Sequence, residues 1–245
     1  MNLLIKIMFF ILGACLGSFY ACIGYRIPNK ISTIKPSSYC PKCNKTLKWY
    51  MNIPLISFII LKGRCAYCKE KISITYFLIE LLTASLFLGS YILFGFNYNL
   101  IIILILISAL MITLVTDLNY FYISDRIIVI SSLIILITWF YYLPFKECLS
   151  YILSAVILFV IMYLIKVIGD KVLKKECLGG GDIKLMIPIG LSLGIYYSLI
   201  ALFIGSTMAL IFTLSLKSKE EMIPYGPFLL IGTIASFIIK VSLGY

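Results

Sequence analysis

Histidine is absent from this 245-residue chain, and only 10 of its residues are acidic. Without histidine, the protein cannot use an imidazole base or a zinc site with histidine ligands. Charged residues make up 13% of the chain and hydrophobic residues 62%, against about 45–50% apolar residues in soluble domains. So much apolar surface excludes a disordered chain, a collagen-like repeat and a soluble enzyme. The composition predicts a polytopic membrane protein.

Apolar runs long enough to cross a bilayer, which takes about 20 residues, recur along the chain. They predict an all-α fold of about eight transmembrane helices. One run, residues 183–216, would be roughly 51 Å long as a single helix, whereas the bilayer core is about 30 Å thick. We therefore expect a hairpin near Tyr196-Tyr197-Ser198, which gives spans 183–198 and 199–216. The other predicted spans are 3–25, 73–95, 99–116, 127–143, 149–168 and 227–243.

Basic residues are concentrated on one side of these spans. Residues 26–72 hold ten Lys and Arg but a single acid, Glu70, and such loops stay in the cytoplasm. Eight spans place 18 of the 21 basic residues on that side, so membrane orientation accounts for the net charge of +11 without a nucleic-acid partner. The predicted organisation in the inner or plasma membrane is a first transmembrane helix (1–25), a cytoplasmic loop (26–72) and a membrane bundle (73–245).

The cytoplasmic loop contains two CxxC pairs separated by 21 residues. This spacing is typical of a zinc ribbon, in which two tight turns supply four thiolates to one tetrahedral ion. Two disulfides are the alternative, but the cytoplasm is reducing, which favours zinc. Sulfur would fill all four positions, so the metal would be structural. The predicted ligands are Cys40, Cys43, Cys65 and Cys68.

Two carboxylates lie at the ends of predicted spans. Asp117 closes the third span, and Asp182 follows three glycines just before the sixth. Two spans separate them, and an even number of crossings returns the chain to the same face. Two neighbouring carboxylates share a proton, so one can activate water while the other polarises a peptide carbonyl. The pattern favours an aspartic protease dyad; the alternative is that each Asp caps a helix or lies at the membrane interface.

Five further residues are candidates for supporting roles. Glycine permits positive φ angles, and Gly179, Gly180 and Gly181 would let a substrate backbone come close to Asp182. Lys184 could act on a nearby carboxylate or contact phospholipid. Glu80, about two turns into the second span, could belong to a buried network or to a site.

Taken together and in this order, these features resemble the type IV prepilin leader peptidase family of GxGD-class membrane aspartic proteases. The resemblance implies that Asp117 and Asp182 remove a short basic leader from prepilins or pseudopilins after a glycine, at the cytoplasmic face, in pilus assembly or protein secretion. For many members it also implies methylation of the new N-terminus from S-adenosylmethionine. The motifs that carry it are Gly17-Ser18-Phe19, Tyr25-Arg26-Ile27-Pro28, the CxxC pairs around Asn52-Ile53-Pro54-Leu55, Ile72-Ser73 to Glu80, Thr116-Asp117-Leu118, Ile123-Ser124-Asp125, Gly179 to Leu185, and Pro224-Tyr225-Gly226-Pro227-Phe228.

Three other functions are compatible with parts of the pattern. A proton-coupled transporter would use its intramembrane acids as relays. A non-catalytic assembly scaffold would need the zinc loop but tolerate loss of both aspartates. A thiol oxidoreductase would use the CxxC pairs, which is incompatible with four sulfurs bound to zinc.

Overall fold

The computed structural model describes residues 2–35, 37–174, 176–216 and 223–244, with backbone only at Leu216. Lys175, Lys217 and Lys219, which the topology argument counts as cytoplasmic, lie outside these residues. Within them the chain is helical, without β-strands and with two isolated β-bridges. The helices are α1 Leu3–Arg26, α2 Ile56–Ile60, α3 Ile74–Phe94, α4 Tyr98–Tyr120, α5 Asp125–Tyr142, α6 Phe145–Leu173, α7 Gly180–Leu216 and α8 Tyr225–Ser242, with a short 3-10 helix at Trp49–Asn52.

All of these α-helices except α2 are long and apolar enough to cross a membrane, seven in the described part of the chain. This confirms the all-α polytopic fold class. Several helices are longer than the spans predicted from hydrophobicity. The reason is that backbone hydrogen bonds can extend a helix beyond the hydrocarbon core. Asp117 consequently lies inside the last turns of α4, and Asp182 lies in the first turn of α7.

The long helix α7 is broken at Gly194, whose φ of 75° and ψ of 175° are not helical. The Ser198 hydroxyl reaches the carbonyl oxygen of Ile189 at 3.4 Å, although nine residues of straight helix span about 13.5 Å. The chain therefore folds back here, into arms α7a (180–193) and α7b (195–216). The expected hairpin is present, but its turn lies at Gly194 and not at Tyr196–Ser198, because this backbone conformation is essentially restricted to glycine.

The arm α7b runs antiparallel to α8. Near the end of α8, the Ser236 hydroxyl donates to the carbonyl oxygen of Tyr197 at 2.6 Å. Near its start, Ser206 and Tyr225 form a hydrogen bond of 2.7 Å between their hydroxyls. The turn of the α7 hairpin therefore lies beside the C-terminal half of α8, and α7a and α7b both extend toward the N-terminal end of α8.

The chain divides into two compact units, Met1–Phe96 and Asn97–Tyr245. In the first, α1 and α3 are antiparallel: the Phe9 ring stacks on Tyr91 at 4.7 Å, and Gly17 packs against Glu80. The loop between these helices therefore leaves and returns at the same end. The second unit contains α4 to α8, so α3 groups with α1 and not with the bundle 73–245 expected from the sequence.

Candidate active site and metal centre

Asp117 is buried, with 5% of its surface exposed. Its Oδ2 atom accepts a hydrogen bond of 3.1 Å from the backbone N–H of Gly226, in the first turn of α8. A Cβ atom at Gly226 would lie 3.2 Å from Asp117 Oδ2 and 2.8 Å from the Ile123 side chain. The start of α8 therefore holds this carboxylate through a backbone donor, at a position where any side chain would be crowded.

Asp182 is buried to a similar extent, with 8% exposure. The backbone N–H of Gly179 donates to its carboxylate. Its Oδ1 atom is buried and has no hydrogen-bond partner among the described residues. Buried polar atoms are nearly always paired, so this oxygen lacks the partner that a water molecule or a substrate would supply.

The structure brings the two aspartates together. The Ile123 side chain fills the space between the backbones of Gly181, next to Asp182, and Gly226, which binds Asp117. The two carboxylates are close enough for the charge of Asp117 to act on Asp182. Both carboxylates therefore share one end of the second unit, where the even number of spans between them places them.

The three glycines before Asp182 permit positive φ angles, but none of them adopts one in the structure. The glycines with positive φ in the described chain are Gly63, Gly95, Gly194 and Gly244. These three glycines matter through the absence of a side chain. A Cβ atom would lie 2.8 Å from Asp182 Oδ2 if added to Gly179 and 2.7 Å from Ile123 if added to Gly181, whereas Gly180 opens onto free space.

Lys184 is directed away from the dyad. Its Nζ atom donates to Asp125 Oδ1 at 2.7 Å in an exposed ion pair. The cation whose charge does reach Asp182 is Lys166 of α6, which also donates to the carbonyl oxygen of Leu178 at 2.9 Å. Sequence reasoning missed Lys166 because it lies 16 positions before Asp182, and only the packing of α6 on α7 brings them together.

Tyr225 is a second residue that the sequence did not single out for this site. Its hydroxyl is hydrogen-bonded to Ser206, and the charge of Asp182 reaches it. It lies between Pro224 and Gly226, in a motif noted only for its resemblance to the family. That motif was the feature of the sequence that could have pointed to Tyr225.

Glu80 is buried in α3, away from any open surface. Its Oε2 atom accepts a hydrogen bond of 2.7 Å from the backbone N–H of Leu55, a residue with a positive φ of 62°. Of the two roles considered for Glu80, the geometry matches the buried network, in which the carboxylate anchors a turn of the loop to α3.

The four cysteines of the loop form one cluster, with their sulfurs all within 4.8 Å of one another. Each CxxC pair makes the same turn. In the first, the N–H of Cys40 donates to Lys45 O at 3.0 Å, and the N–H of Asn44 donates back to Cys40 O at 2.8 Å. The second pair repeats both bonds around Cys65, at 2.8 and 3.0 Å. Two equivalent turns thus face each other across the cluster.

The chemistry of this cluster fits a zinc ion. Cys40 and Cys68 are unbonded thiols whose sulfurs lie 3.9 Å apart. A tetrahedral site with Zn–S bonds of about 2.3 Å separates its sulfurs by about 3.8 Å. The backbone N–H groups of Cys68 and Tyr67 lower the pKa of the Cys65 thiol to about 6, which favours the thiolate that binds metal.

Two cavities open in the loop region of the first unit. One, of about 430 Å³, is lined by Ile60, Leu61, Lys62, Arg64, Cys65, Ala66 and Lys69. The other, of about 220 Å³, lies beside Phe19 and Arg26. No contact among the described residues assigns either cavity to S-adenosylmethionine.

Comparison with known proteins identifies the family of this chain. The bacterial peptidase A24 N-terminal domain matches residues 11–94 and the type IV leader peptidase family matches residues 104–214. A Bacillus subtilis protein named prepilin leader peptidase/N-methyltransferase is 35% identical over 96% of this chain and 98% of its own length. A Vibrio cholerae protein of the same name is 29% identical over 94% and 95%.

A leader peptide-processing enzyme for type 4 prepilin-like proteins, from Escherichia coli, is 31% identical over 87% of this chain and 80% of its own length. No solved structure matches. The two family matches divide the chain close to the boundary between its compact units at Phe96. The chain therefore belongs to the type IV leader peptidase family.

Proposed function

We propose that this protein is a membrane aspartic endopeptidase that removes the leader peptide from type IV prepilins or pseudopilins after a glycine, with Asp117 and Asp182 as its catalytic dyad. The observation that carries the proposal is the location of these two buried carboxylates at one end of the second unit. A backbone N–H holds Asp117, and Asp182 keeps one oxygen without a hydrogen-bond partner among the described residues. Each relative named above is a leader peptidase or leader peptide-processing enzyme, and none is a transporter or a scaffold.

The chemistry follows from two acids that share one proton. The ionised carboxylate takes a proton from a water molecule, whose oxygen forms a bond to the scissile carbonyl carbon. The protonated carboxylate donates its hydrogen to the carbonyl oxygen. The C–N bond then breaks. The departing amine takes up the proton held by the first carboxylate, and a hydroxyl of the tetrahedral intermediate returns a proton to the second carboxylate, which restores the dyad. Gly180, beside Asp182, leaves room for the substrate backbone.

The dyad faces the cytoplasm in this proposal. Within the second unit, the end that carries the aspartates also carries Arg126, Lys166, Lys171 and Lys184. Lys146 lies in the first turn of α6, at the opposite end. Basic residues are retained on the cytoplasmic side of membrane proteins. A prepilin held in the same membrane by its apolar segment would then present its leader junction to the dyad.

A structural zinc ion would be held by Cys40, Cys43, Cys65 and Cys68 and would stabilise a loop that has little apolar core of its own. The name of the relatives also supports N-methylation of the new N-terminus, for which S-adenosylmethionine would supply the methyl group. Because no contact among the described residues identifies the side chains that would hold that cofactor, we derive no methyl-transfer step.

The proposal is tested by mass spectrometry of a model prepilin co-expressed with the enzyme. Asp117→Asn and Asp182→Asn should each slow cleavage after the leader glycine by at least about 100-fold, in the range of general acid–base catalysis. Asp125→Asn, an exposed carboxylate outside the dyad, is the matched control and should cleave normally. Full cleavage by either dyad variant would remove that residue from the mechanism.

The same spectra distinguish the remaining possibilities. A further gain of about 14 Da on the mature N-terminus, the mass of a methylene group, would establish methylation. An uncleaved prepilin with a correctly inserted, zinc-loaded wild-type enzyme would contradict the peptidase assignment for that substrate. A scaffold would instead retain its function in both Asp→Asn variants and lose it when Cys40 or Cys65 is replaced.

A further inference from the structure

The loop between α1 and α3 exposes large apolar side chains. Trp49, in the 3-10 helix, is 80% exposed, and Ile59 and Ile60, in α2, are 64% and 72% exposed. The 3-10 helix contacts α2, so these exposed residues lie on two neighbouring elements of the loop. A loop with this few buried residues would not present a tryptophan and two isoleucines to water without a partner to cover them.

A basic cavity adjoins this apolar surface. Ile60 lines the cavity of about 430 Å³ together with Lys62, Arg64 and Lys69, and no acidic residue lines it. All three basic side chains belong to exposed residues. Apolar and aromatic side chains bordered by Lys and Arg are the combination found where proteins lie in the interface of an anionic membrane.

The connections of the loop favour lipid as the partner. Both of its ends are membrane-spanning helices, and the antiparallel packing of α1 on α3 brings those ends to the same face. The loop is thus attached next to the bilayer at both ends. In the cytoplasmic orientation of the proposed function, the adjacent leaflet carries anionic phospholipids.

We infer that the surface formed by Trp49, Ile59 and Ile60 docks onto the cytoplasmic leaflet, with an anionic phospholipid headgroup bound in the cavity between Lys62, Arg64 and Lys69. The apolar side chains enter the acyl boundary while the cations pair with headgroup phosphate. This inference rests on the cytoplasmic orientation of the loop, but not on the identity of the catalytic residues.

The experiment uses the full-length protein in phosphatidylcholine nanodiscs that contain a minor share of brominated lipid, which quenches nearby tryptophan. Trp49 and Trp139 are the only tryptophans, so the Trp49→Phe variant supplies the background from Trp139. Brominated phosphatidylglycerol should quench Trp49 severalfold more strongly than the same share of brominated phosphatidylcholine. Each basic residue near an anionic surface contributes roughly fivefold to binding.

The variant Lys62→Gln/Arg64→Gln/Lys69→Gln should lose this preference by at least about fivefold. The variant Lys30→Gln/Lys35→Gln/Lys42→Gln removes the same charge outside the cavity and should keep it. Equal quenching by both lipids in the wild type, or equal loss in both variants, would overturn the inference.

Two further outcomes would also overturn it. Absence of quenching by either lipid would place Trp49 away from the bilayer. If an added acidic peptide then shifted Trp49 emission, the partner of this surface would be a protein. Because fluorescence and not cleavage is measured, the inference can fail while the proposed peptidase activity stands, and the reverse also holds.

Discussion

Lys240 shows what a count of basic residues leaves out. The sequence predicts only that it lies on the non-cytoplasmic side, whereas in the structure just 5% of it is exposed. Its Nζ atom donates to the Tyr151 hydroxyl at 2.9 Å and to the carbonyl oxygen of Ser192 at 3.3 Å. Ser192 lies at the end of α7a, where the break at Gly194 removes the usual helical donors. The buried lysine thus supplies a hydrogen bond that the helix cannot.

Lys240→Met, which keeps the length of the side chain, should therefore destabilise the second unit. The loss of a donor leaves a buried carbonyl oxygen with one partner fewer, at a cost of about 1–3 kcal/mol. Denaturant unfolding in detergent would measure this difference. Lys146→Met, at an exposed lysine, is the control and should change the stability little. Equal stability of both variants would show that Lys240 has no such role.

Gly226 gives a second prediction at the scale of one residue. In Gly226→Ala, the new Cβ atom would lie 2.8 Å from Ile123 and 3.2 Å from Asp117 Oδ2, so the carboxylate must move. A displacement of about 1 Å at a reacting group costs on the order of 100-fold in rate. We expect kcat for leader cleavage to fall by about that factor while insertion is unchanged. Gly89→Ala, where a Cβ atom meets nothing within 4 Å, should cleave normally.

At the scale of elements, the two CxxC turns show the value of spacing in the sequence. The spacing identified all four cysteines that the structure clusters, because a tight CxxC turn fixes two sulfurs whatever surrounds it. It could not show that the second turn repeats the hydrogen bonds of the first. Nor could it show that Glu80 anchors the intervening segment at Leu55, since this contact depends on how α3 packs.

Removal of the metal should unfold the loop that carries the four cysteines and leave the helices of the second unit folded. Treatment with a strong chelator, or Cys40→Ser, should release one zinc ion per chain and open residues 27–73 to limited proteolysis, because the loop has few buried apolar side chains to hold it. Fragments from α4 to α8 should remain protected. Zinc analysis and protease mapping would measure both effects. An unchanged cleavage pattern after metal loss would argue against a structural role.

At the scale of the whole molecule, the direction of α8 depends on the break in α7. If α7 were straight, α8 would run in the opposite direction through the membrane. With the turn at Gly194, α8 starts at the dyad end, where Gly226 contacts Asp117, and finishes at the opposite end. A single glycine therefore decides the side on which the chain leaves this unit.

This predicts the side of the C-terminal end of α8. Alkaline phosphatase fused after Gly244 should be active, because that position would lie outside the cytoplasm, while a fusion after Lys171 should be inactive. Green fluorescent protein at the same two positions should give the reverse pattern. A fluorescent, phosphatase-inactive fusion after Gly244 would contradict the hairpin.

The sequence by itself determined the membrane class, the approximate spans, the four zinc-binding candidates and the two aspartates. These follow from local properties: the length of apolar runs, the spacing of thiols and the parity of crossings. The tertiary structure decided the position of the hairpin turn, the Gly226 N–H that holds Asp117, the pairing of Lys184 with Asp125 and the burial of Lys240. Each of these depends on which residues distant in the chain pack together, and hydrophobicity along the chain carries no information about that packing.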